Sequence, residues 1–181
     1  MGKGKEPMSR IKELSLAAMT QEQRELYDST RTAGGLLGGP NIPYLRIPKF
    51  MRLSQATVGY LRSNSLAPRL RQLAILRTVK FWGARFAWAY HVPASLKEGV
   101  EQEIIDDIEQ GREPVRASPK DKAVLRICAE LLESHRLSDE AYQTAIGMFG
   151  EAGLADIVAT AGFYSLTSLT LNAFEIDPPA K

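Results

Sequence analysis

The sequence predicts an all-α fold, and three observations indicate it. Capping residues and prolines recur where helices would begin, glycines recur where they would end, and strand-type alternation of apolar and polar residues is nearly absent. The chain has 181 residues, 44% of them hydrophobic and 24% charged, which is typical of a soluble globular domain. We therefore predict one domain of about eight helices over residues 20–178, preceded by a flexible N-terminal arm over residues 1–19.

The first half of the chain is predicted to contain three helices and one long loop. The segment "TQEQ" at Thr20 is a capping box, which begins a helix that ends near Thr32. The glycines and prolines of "GGLLGGPNIPY", residues 34–44, predict a loop of the kind that often lines a functional site. Prolines suit the first position of the next two helices, Pro48–Ser63 and 68–82.

A fourth helix is predicted over Ala84–Glu98, where Gly99 provides the left-handed residue that ends it. Pro93 falls inside this helix and removes one backbone hydrogen bond. We expect it to bend the helix just after His91. A short helix, "EQEIIDDIEQ", follows.

The second half of the chain contains two further capped helices and one very apolar segment. Ser118 and Ser138 are the predicted caps. The segment Leu154–Phe174 is long enough to raise the question of a membrane span. Because it contains Asp156 and several hydroxyl groups and lacks basic flanks, we predict a helix buried inside the domain or at a subunit interface.

Charge is distributed unevenly along the chain although the formal net charge is only +2. Residues 40–100 contain ten basic side chains and one acidic side chain, whereas residues 101–157 contain thirteen acidic and six basic ones. Three explanations fit this pattern: a solvated face, an anion-binding pocket, or pairing with the acidic half across a subunit boundary. A nucleic-acid-binding protein is not predicted, because no recognised module accompanies the charge.

Cysteine and histidine are both rare in this sequence. The single cysteine, Cys128, excludes an intramolecular disulfide or a multi-cysteine metal site, and its position on an apolar helix face predicts a buried, inert thiol. We expect a cytoplasmic protein without a membrane anchor. His135 lies at a helix end, where capping is the expected role, so His91 is the candidate for acid–base chemistry.

The helix pair "PRLRQLAILRTVKFWGARFAWAYHVPASLKEG" resembles the signature segment of the carboxymuconolactone decarboxylase family, which includes the alkylhydroperoxidase D proteins. The loop "GGPNIPYLRIP" and the segment "LTLNAFEI" resemble flanking parts of the same family. The resemblance implies an all-α, alkylhydroperoxidase D-like fold that assembles as a homo-oligomer, commonly a trimer or hexamer.

The resemblance also implies a site, but several of its expected side chains are absent. The peroxidase branch carries a glutamate, two cysteines as C-x-x-C, and a histidine at the positions of Gln72, Ala84, Ala87 and His91. Thiol-dependent peroxide reduction is disfavoured, because alanine provides neither an attacking nor a resolving thiol. The decarboxylase-like branch frequently has an acid where Ala87 stands, followed by a tryptophan and a histidine that match Trp88 and His91.

The resemblance therefore implies decarboxylation, or an allied proton transfer, on a small anionic carboxylated or lactone-type metabolite of the kind found in aromatic degradation. No metal or organic cofactor is expected. His91 is predicted to move the proton, and Gln72 is predicted to hydrogen-bond the developing oxyanion. The predicted substrate-binding residues are Arg46, Arg52, Arg85, Trp88 and Tyr90. The alternative is a binding or scaffold protein that holds an anion without converting it.

Overall fold

Helices account for all the regular structure in the described part of the chain, residues 9–31 and 37–178 of a computed structural model. The all-α prediction is confirmed there. A 3-10 turn, Leu16–Ala18, precedes the first helix. The helices are α1 (Gln21–Thr30), α2 (Asn41–Tyr44), α3 (Pro48–Ser63), α4 (Pro68–Phe81), α5 (Arg85–Lys97), α6 (Gln102–Gln110), α7 (Pro119–Glu133) and α8 (Asp139–Ala173).

The predicted caps form at three helix starts. The Thr20 hydroxyl accepts a hydrogen bond from the backbone N–H of Gln23, whose side chain accepts one from the N–H of Thr20. Ser118 makes the same reciprocal arrangement with Asp121, and Ser138 accepts from the N–H of Ala141. These bonds satisfy N–H groups that have no partner within the helix.

Two segments differ in detail from the predicted pattern. The helices expected around Ser138 and Leu154 run on as α8, and only Gly150, with φ 69° and ψ 177°, interrupts the helical backbone. The short helix α2 forms within the predicted loop of residues 34–44, of which residues 34–36 lie outside the described part. Helix α5 continues from Arg85 to Lys97 with Pro93 inside it.

Helix α4 lies at the centre of the packing and contacts α5, α7 and α8. Its Leu73, Ala74 and Leu76 are fully buried and belong to the main apolar cluster. The turn at Gly83, with φ 63°, brings α5 back alongside α4. This antiparallel pair determines which side chains of the two helices face each other.

Helix α8 is the one helix of the described residues whose length and composition would allow it to cross a membrane. Core helices of soluble proteins share this length and composition, and 44% of the most apolar 18-residue stretch of α8 is buried inside the protein. Asp156, in this helix, is buried and accepts three hydrogen bonds from Tyr60 and Ser65. The contacts of α8 with α4 and α7 agree with the predicted buried helix.

The N-terminal segment contacts the end of α8. The backbone N–H of Arg10 donates to the carbonyl of Phe174 at 2.9 Å, and its guanidinium pairs with Glu175 at 2.5 Å. The Ser9 hydroxyl also donates to Phe174. Residues 9–19 of the predicted flexible arm are thus in contact with the domain of their own chain, and residues 1–8 lie outside the described residues.

Candidate functional site

His91 and Gln72 lie side by side on the antiparallel helices α5 and α4. Nδ1 of His91 is 3.0 Å from Oε1 of Gln72. The Ser95 hydroxyl, one turn further along α5, donates to the backbone carbonyl of His91 at 2.7 Å and lies 3.4 Å from the same Gln72 oxygen. The two predicted catalytic residues are therefore in direct contact.

The His91 ring is almost buried, with 9% of the residue exposed. Two tyrosine rings meet it edge-on, Tyr164 of α8 at 5.0 Å and the exposed Tyr90 at 5.2 Å between centroids. Burial, together with the positive charge of Arg62, lowers the pKa of His91 to about 4. The imidazole is thus neutral at pH 7.

The hydrogen bond with Gln72 determines which ring nitrogen carries the proton. Because the amide oxygen accepts, Nδ1 of His91 donates and Nε2 retains a lone pair. The Gln72 amide nitrogen has no hydrogen-bond partner among the described residues, so it is a donor available to a ligand. The pair can therefore accept a proton at one atom and stabilise an oxyanion at another.

Ala84 and Ala87 occupy an apolar cluster with Ile75, Val79 and Leu171. Both alanines are buried, so the positions where the peroxidase branch carries its cysteines are shielded from solvent and hold no reactive group. Cys128 is fully buried in another cluster, around α4 and α7, and burial raises the pKa of its thiol to about 12. This placement agrees with the prediction of a buried, inert thiol.

Hydroperoxide reduction should therefore be absent. We expect the wild-type protein to consume no cumene hydroperoxide above a no-enzyme control in the presence of dithiothreitol or a thioredoxin system. Cys128→Ser should behave identically, because a thiol with a pKa of about 12 is protonated at neutral pH. Peroxide consumption that disappears in Cys128→Ser would contradict this prediction.

The three arginines predicted to bind substrate are bound to other groups of the protein and not to His91 or Gln72. Arg46 donates to the backbone carbonyls of Ile42 and Lys12. The other two form ion pairs, Arg52 with Glu22 at 3.5 Å and Arg85 with Asp177 at 2.7 Å. Arg85 lies six positions before His91, which turns their side chains about 120° apart around the helix.

The two predicted aromatic binding residues, and two further polar side chains of α8, divide between site and core. Tyr90 contacts His91, as described, whereas Trp88 packs between the two apolar clusters. Tyr164 belongs to the site. Asn172 donates to the backbone carbonyl of Trp82 at 2.7 Å and therefore satisfies its polar group at the end of α4.

One cation near His91 was not among the predicted binding residues. Arg62, in the last turn of α3, lies close enough to act electrostatically on both His91 and Tyr164. Burial raises the pKa of Tyr164 to about 12 even though Arg62 and Arg71 oppose that effect. No local sequence signal marks Arg62, because it lies 29 positions before His91 and only the packing of α3 brings it near.

A cavity of about 390 Å³ lies among α4, α6 and α7 and not at His91. Four cations line it, and each lies within 4.0 Å of an acidic side chain: Arg77–Glu133, Arg112–Asp107, Lys122–Glu113 and Arg126–Glu130. Because these charges are compensated, the cavity is not a strong candidate for an anion. The described residues also contain no cluster of histidine, cysteine and carboxylate side chains that could hold a metal ion.

A comparison with known protein families finds a match over the central part of the chain. Residues 48–130, which include Gln72, Arg62 and His91, match the model of the carboxymuconolactone decarboxylase family. No curated protein sequence matches the chain.

Two crystal structures share the fold. One is an uncharacterised peroxidase-related protein from Ralstonia eutropha JMP134 with an alkylhydroperoxidase AhpD core, at 17% identity and a TM-score of 0.79, covering 95% of this chain and 93% of that one. The other is a protein of unknown function from Agrobacterium tumefaciens with a suggested role as the antioxidant defence protein AhpD, at 20% identity and a TM-score of 0.68, covering 74% and 93%. Residues 48–130 of the chain thus match the carboxymuconolactone decarboxylase family, and the fold of the chain is the alkylhydroperoxidase D-like one.

Proposed function

We propose that this chain is an enzyme, similar to carboxymuconolactone decarboxylases, that acts on a small carboxylated or lactone-type metabolite. The reaction is a proton transfer or a decarboxylation carried out without a cofactor. The observation that carries the proposal is the contact between a neutral, nearly buried His91 and Gln72 at 3.0 Å. A neutral imidazole with a free lone pair on Nε2 is a general base.

The neutral ring favours a reaction that begins with removal of a proton. Nε2 of His91 takes a proton from a carbon next to a carbonyl group, the C–H electron pair moves onto the carbonyl oxygen, and the Gln72 amide N–H donates to that oxyanion. The imidazolium then returns the proton to another carbon of the conjugated system. The ring ends neutral, as it began.

Decarboxylation uses the same groups in a different order. The bond to the carboxylate carbon breaks, carbon dioxide leaves, and the electron pair forms the same enolate. The enolate then takes its proton from an imidazolium that has been protonated from solvent beforehand. Since the pKa of His91 is about 4, this route needs a bound negative charge to favour the protonated ring.

The test compares matched histidine variants on 4-carboxymuconolactone and related unsaturated lactone acids. We expect His91→Gln to reduce turnover by about 10²- to 10⁴-fold, since general acid–base catalysis contributes that much. His135→Gln, which changes the only other histidine, should retain wild-type turnover. Absorbance follows net reaction, and deuterium uptake from D₂O detects reversible proton transfer that leaves the substrate unchanged.

The alternative is a binding or scaffold protein. Two observations favour it: no carboxylate contacts His91 in the described part of the chain, and Gln72 stands where the peroxidase branch carries a glutamate. A lactone acid recovered intact and without deuterium after long incubation, although bound at equilibrium, would support this alternative and contradict the enzyme.

We also propose a cytoplasmic homo-oligomer, a trimer or a hexamer. Exposed apolar and aromatic side chains near the site support self-association, because large exposed apolar areas often mark contact surfaces. They are Tyr60, Tyr90, Leu166 and Leu169.

A further inference from the structure

Arg62 and Arg71 form a cationic pair where α3 ends and α4 begins. Nη1 of Arg71 lies 3.4 Å from the backbone carbonyl of Arg62 and 3.5 Å from that of Leu66. Arg71 thus donates to carbonyls at and just beyond the last turn of α3, where the helix leaves carbonyls without partners. This arrangement holds the Arg71 guanidinium beside the last turn of α3, which carries Arg62.

Three connections join the segments that carry this pair to the His91 site. Arg71 directly precedes Gln72, whose amide holds the His91 ring. Tyr60, two residues before Arg62, donates to Asp156 of α8 at 2.5 Å. Tyr164 lies eight residues, just over two turns, after Asp156 and meets the His91 ring at 5.0 Å.

The charge balance separates this pair from four of the other five arginines in residues 40–100. Carboxylates lie within 4 Å of four of those arginines: Arg52, Arg69, Arg77 and Arg85. Within the described ranges, neither Arg62 nor Arg71 has such a counter-ion. Asp156, the carboxylate on the neighbouring part of α8, is already bonded to Tyr60 and Ser65.

The exposed Arg62 and the half-buried Arg71 thus leave two positive charges without carboxylate partners near the buried, neutral His91. The Arg62 charge disfavours protonation of His91, and both arginines favour ionisation of Tyr164. A bound anion would compensate these charges and raise the pKa of the ring, as the decarboxylation route requires. Guanidinium groups match the planar, two-oxygen geometry of a carboxylate.

We propose that Arg62 and Arg71 together bind one carboxylate of a small, planar, unsaturated acid beside the His91 ring. The inference rests on the proposed function, because it names the substrate class of that site. Arg46, Arg52 and Arg85, which the sequence suggested, have no part in it. A neutral analogue of the same shape binds weakly.

Equilibrium binding tests this without turnover. The probes are benzoate and its neutral analogue benzamide, and the readout is the chemical shift of the His91 ring protons in NMR titrations. We expect Arg62→Gln and Arg71→Gln to weaken benzoate binding by at least about tenfold, the value of one lost hydrogen bond to a charged group. Arg52→Gln, on the same helix as Arg62, is the matched control and should bind benzoate as wild type does.

Arg62→Gln has a second expected effect, which a merely structural role would not produce. The pKa of His91 rises in the ligand-free variant, because one positive charge that opposes protonation is gone. Arg62→Lys keeps the charge and should restore most of the benzoate affinity. Wild-type affinity in Arg62→Gln, equal weakening in Arg52→Gln, or benzamide binding as tight as benzoate binding would each overturn the proposal.

The experiments distinguish an error in the anion-site proposal from an error in the proposed enzymatic function. If Arg62→Gln weakens benzoate binding but the wild type neither converts nor deuterates any lactone acid, the anion site is correct and the enzyme is not. If turnover depends on His91 while KM is unchanged in Arg62→Gln, the enzyme is correct and the anion site is wrong.

Discussion

Gln72→Glu should raise the pKa of His91 by about 1 to 3 from its wild-type value of about 4, since an opposite charge at this distance has an effect of that size. The wild-type contact joins Nδ1 of the ring to a neutral amide oxygen at 3.0 Å, in a place where burial opposes charge on the ring. A carboxylate of nearly the same shape introduces a negative charge at that atom. It favours the imidazolium and partly offsets the effects of burial and of Arg62.

Proton NMR titration of the ring measures this change. The chain has only two histidines, so His135→Gln assigns the His91 resonances by elimination. Gln72→Met is the matched control: it keeps the length of the side chain but provides neither charge nor amide, and it should leave the pKa of His91 low. A ring that still titrates near pH 4 in Gln72→Glu would contradict the contact between the two residues.

The same pKa makes folding stability depend on pH. Folded His91 has a pKa of about 4, against an ordinary 6.5, so between these values the unfolded chain binds the extra proton. The free energy of unfolding therefore increases from pH 4 to 6.5, and acidification removes about 3 kcal/mol of it through this residue. Urea denaturation at pH 7 and 4.5 should show a smaller loss in His91→Gln and in Gln72→Glu.

Much of the fold could be predicted because its helix boundaries are encoded locally. Thr20, Ser118 and Ser138 cap helices through atoms within three residues, so a short stretch of sequence is enough to predict them. Helix α2 was missed because glycine and proline around it indicate a loop. The contacts of Arg10 with Phe174 and Glu175 join the two ends of the chain, so no short stretch of sequence predicts them.

In the site, the contact of His91 with Gln72 could be predicted from the sequence, but the nearby cation could not. His91 and Gln72 lie on consecutive helices joined by a tight turn, so sequence spacing was sufficient to bring them together. The arginines were different, because proximity in sequence to a glycine loop or to His91 suggested Arg46, Arg52 and Arg85. Which cation approaches His91 depends on how α3 packs against α8 through Tyr60 and Asp156, and that is a tertiary property.

Asp156→Ala should have the largest effect on stability, a loss of about 3 kcal/mol in the free energy of unfolding. The carboxylate is 4% exposed and accepts from the Tyr60 hydroxyl at 2.5 Å, the Ser65 hydroxyl at 2.6 Å and the Ser65 backbone N–H at 2.9 Å. Burial alone would raise the pKa of Asp156, but hydrogen bonds from Ser65 and Tyr60 outweigh burial and keep it below its ordinary value. The variant leaves the Ser65 donors without their acceptor.

Two further variants separate charge from packing at this position. Asp156→Asn conserves volume but turns an amide donor toward donors of Ser65 and Tyr60, so it should lose nearly as much stability as Asp156→Ala. Tyr60→Phe removes only one donor, from an exposed ring, and should lose clearly less. Urea denaturation ranks the free energies of unfolding of the three variants. An Asp156→Asn protein as stable as wild type would show that shape, and not the hydrogen-bonded charge, holds α8 against the end of α3. Because this connection positions Arg62, loss of the Asp156 charge should also weaken benzoate binding in variants that remain folded.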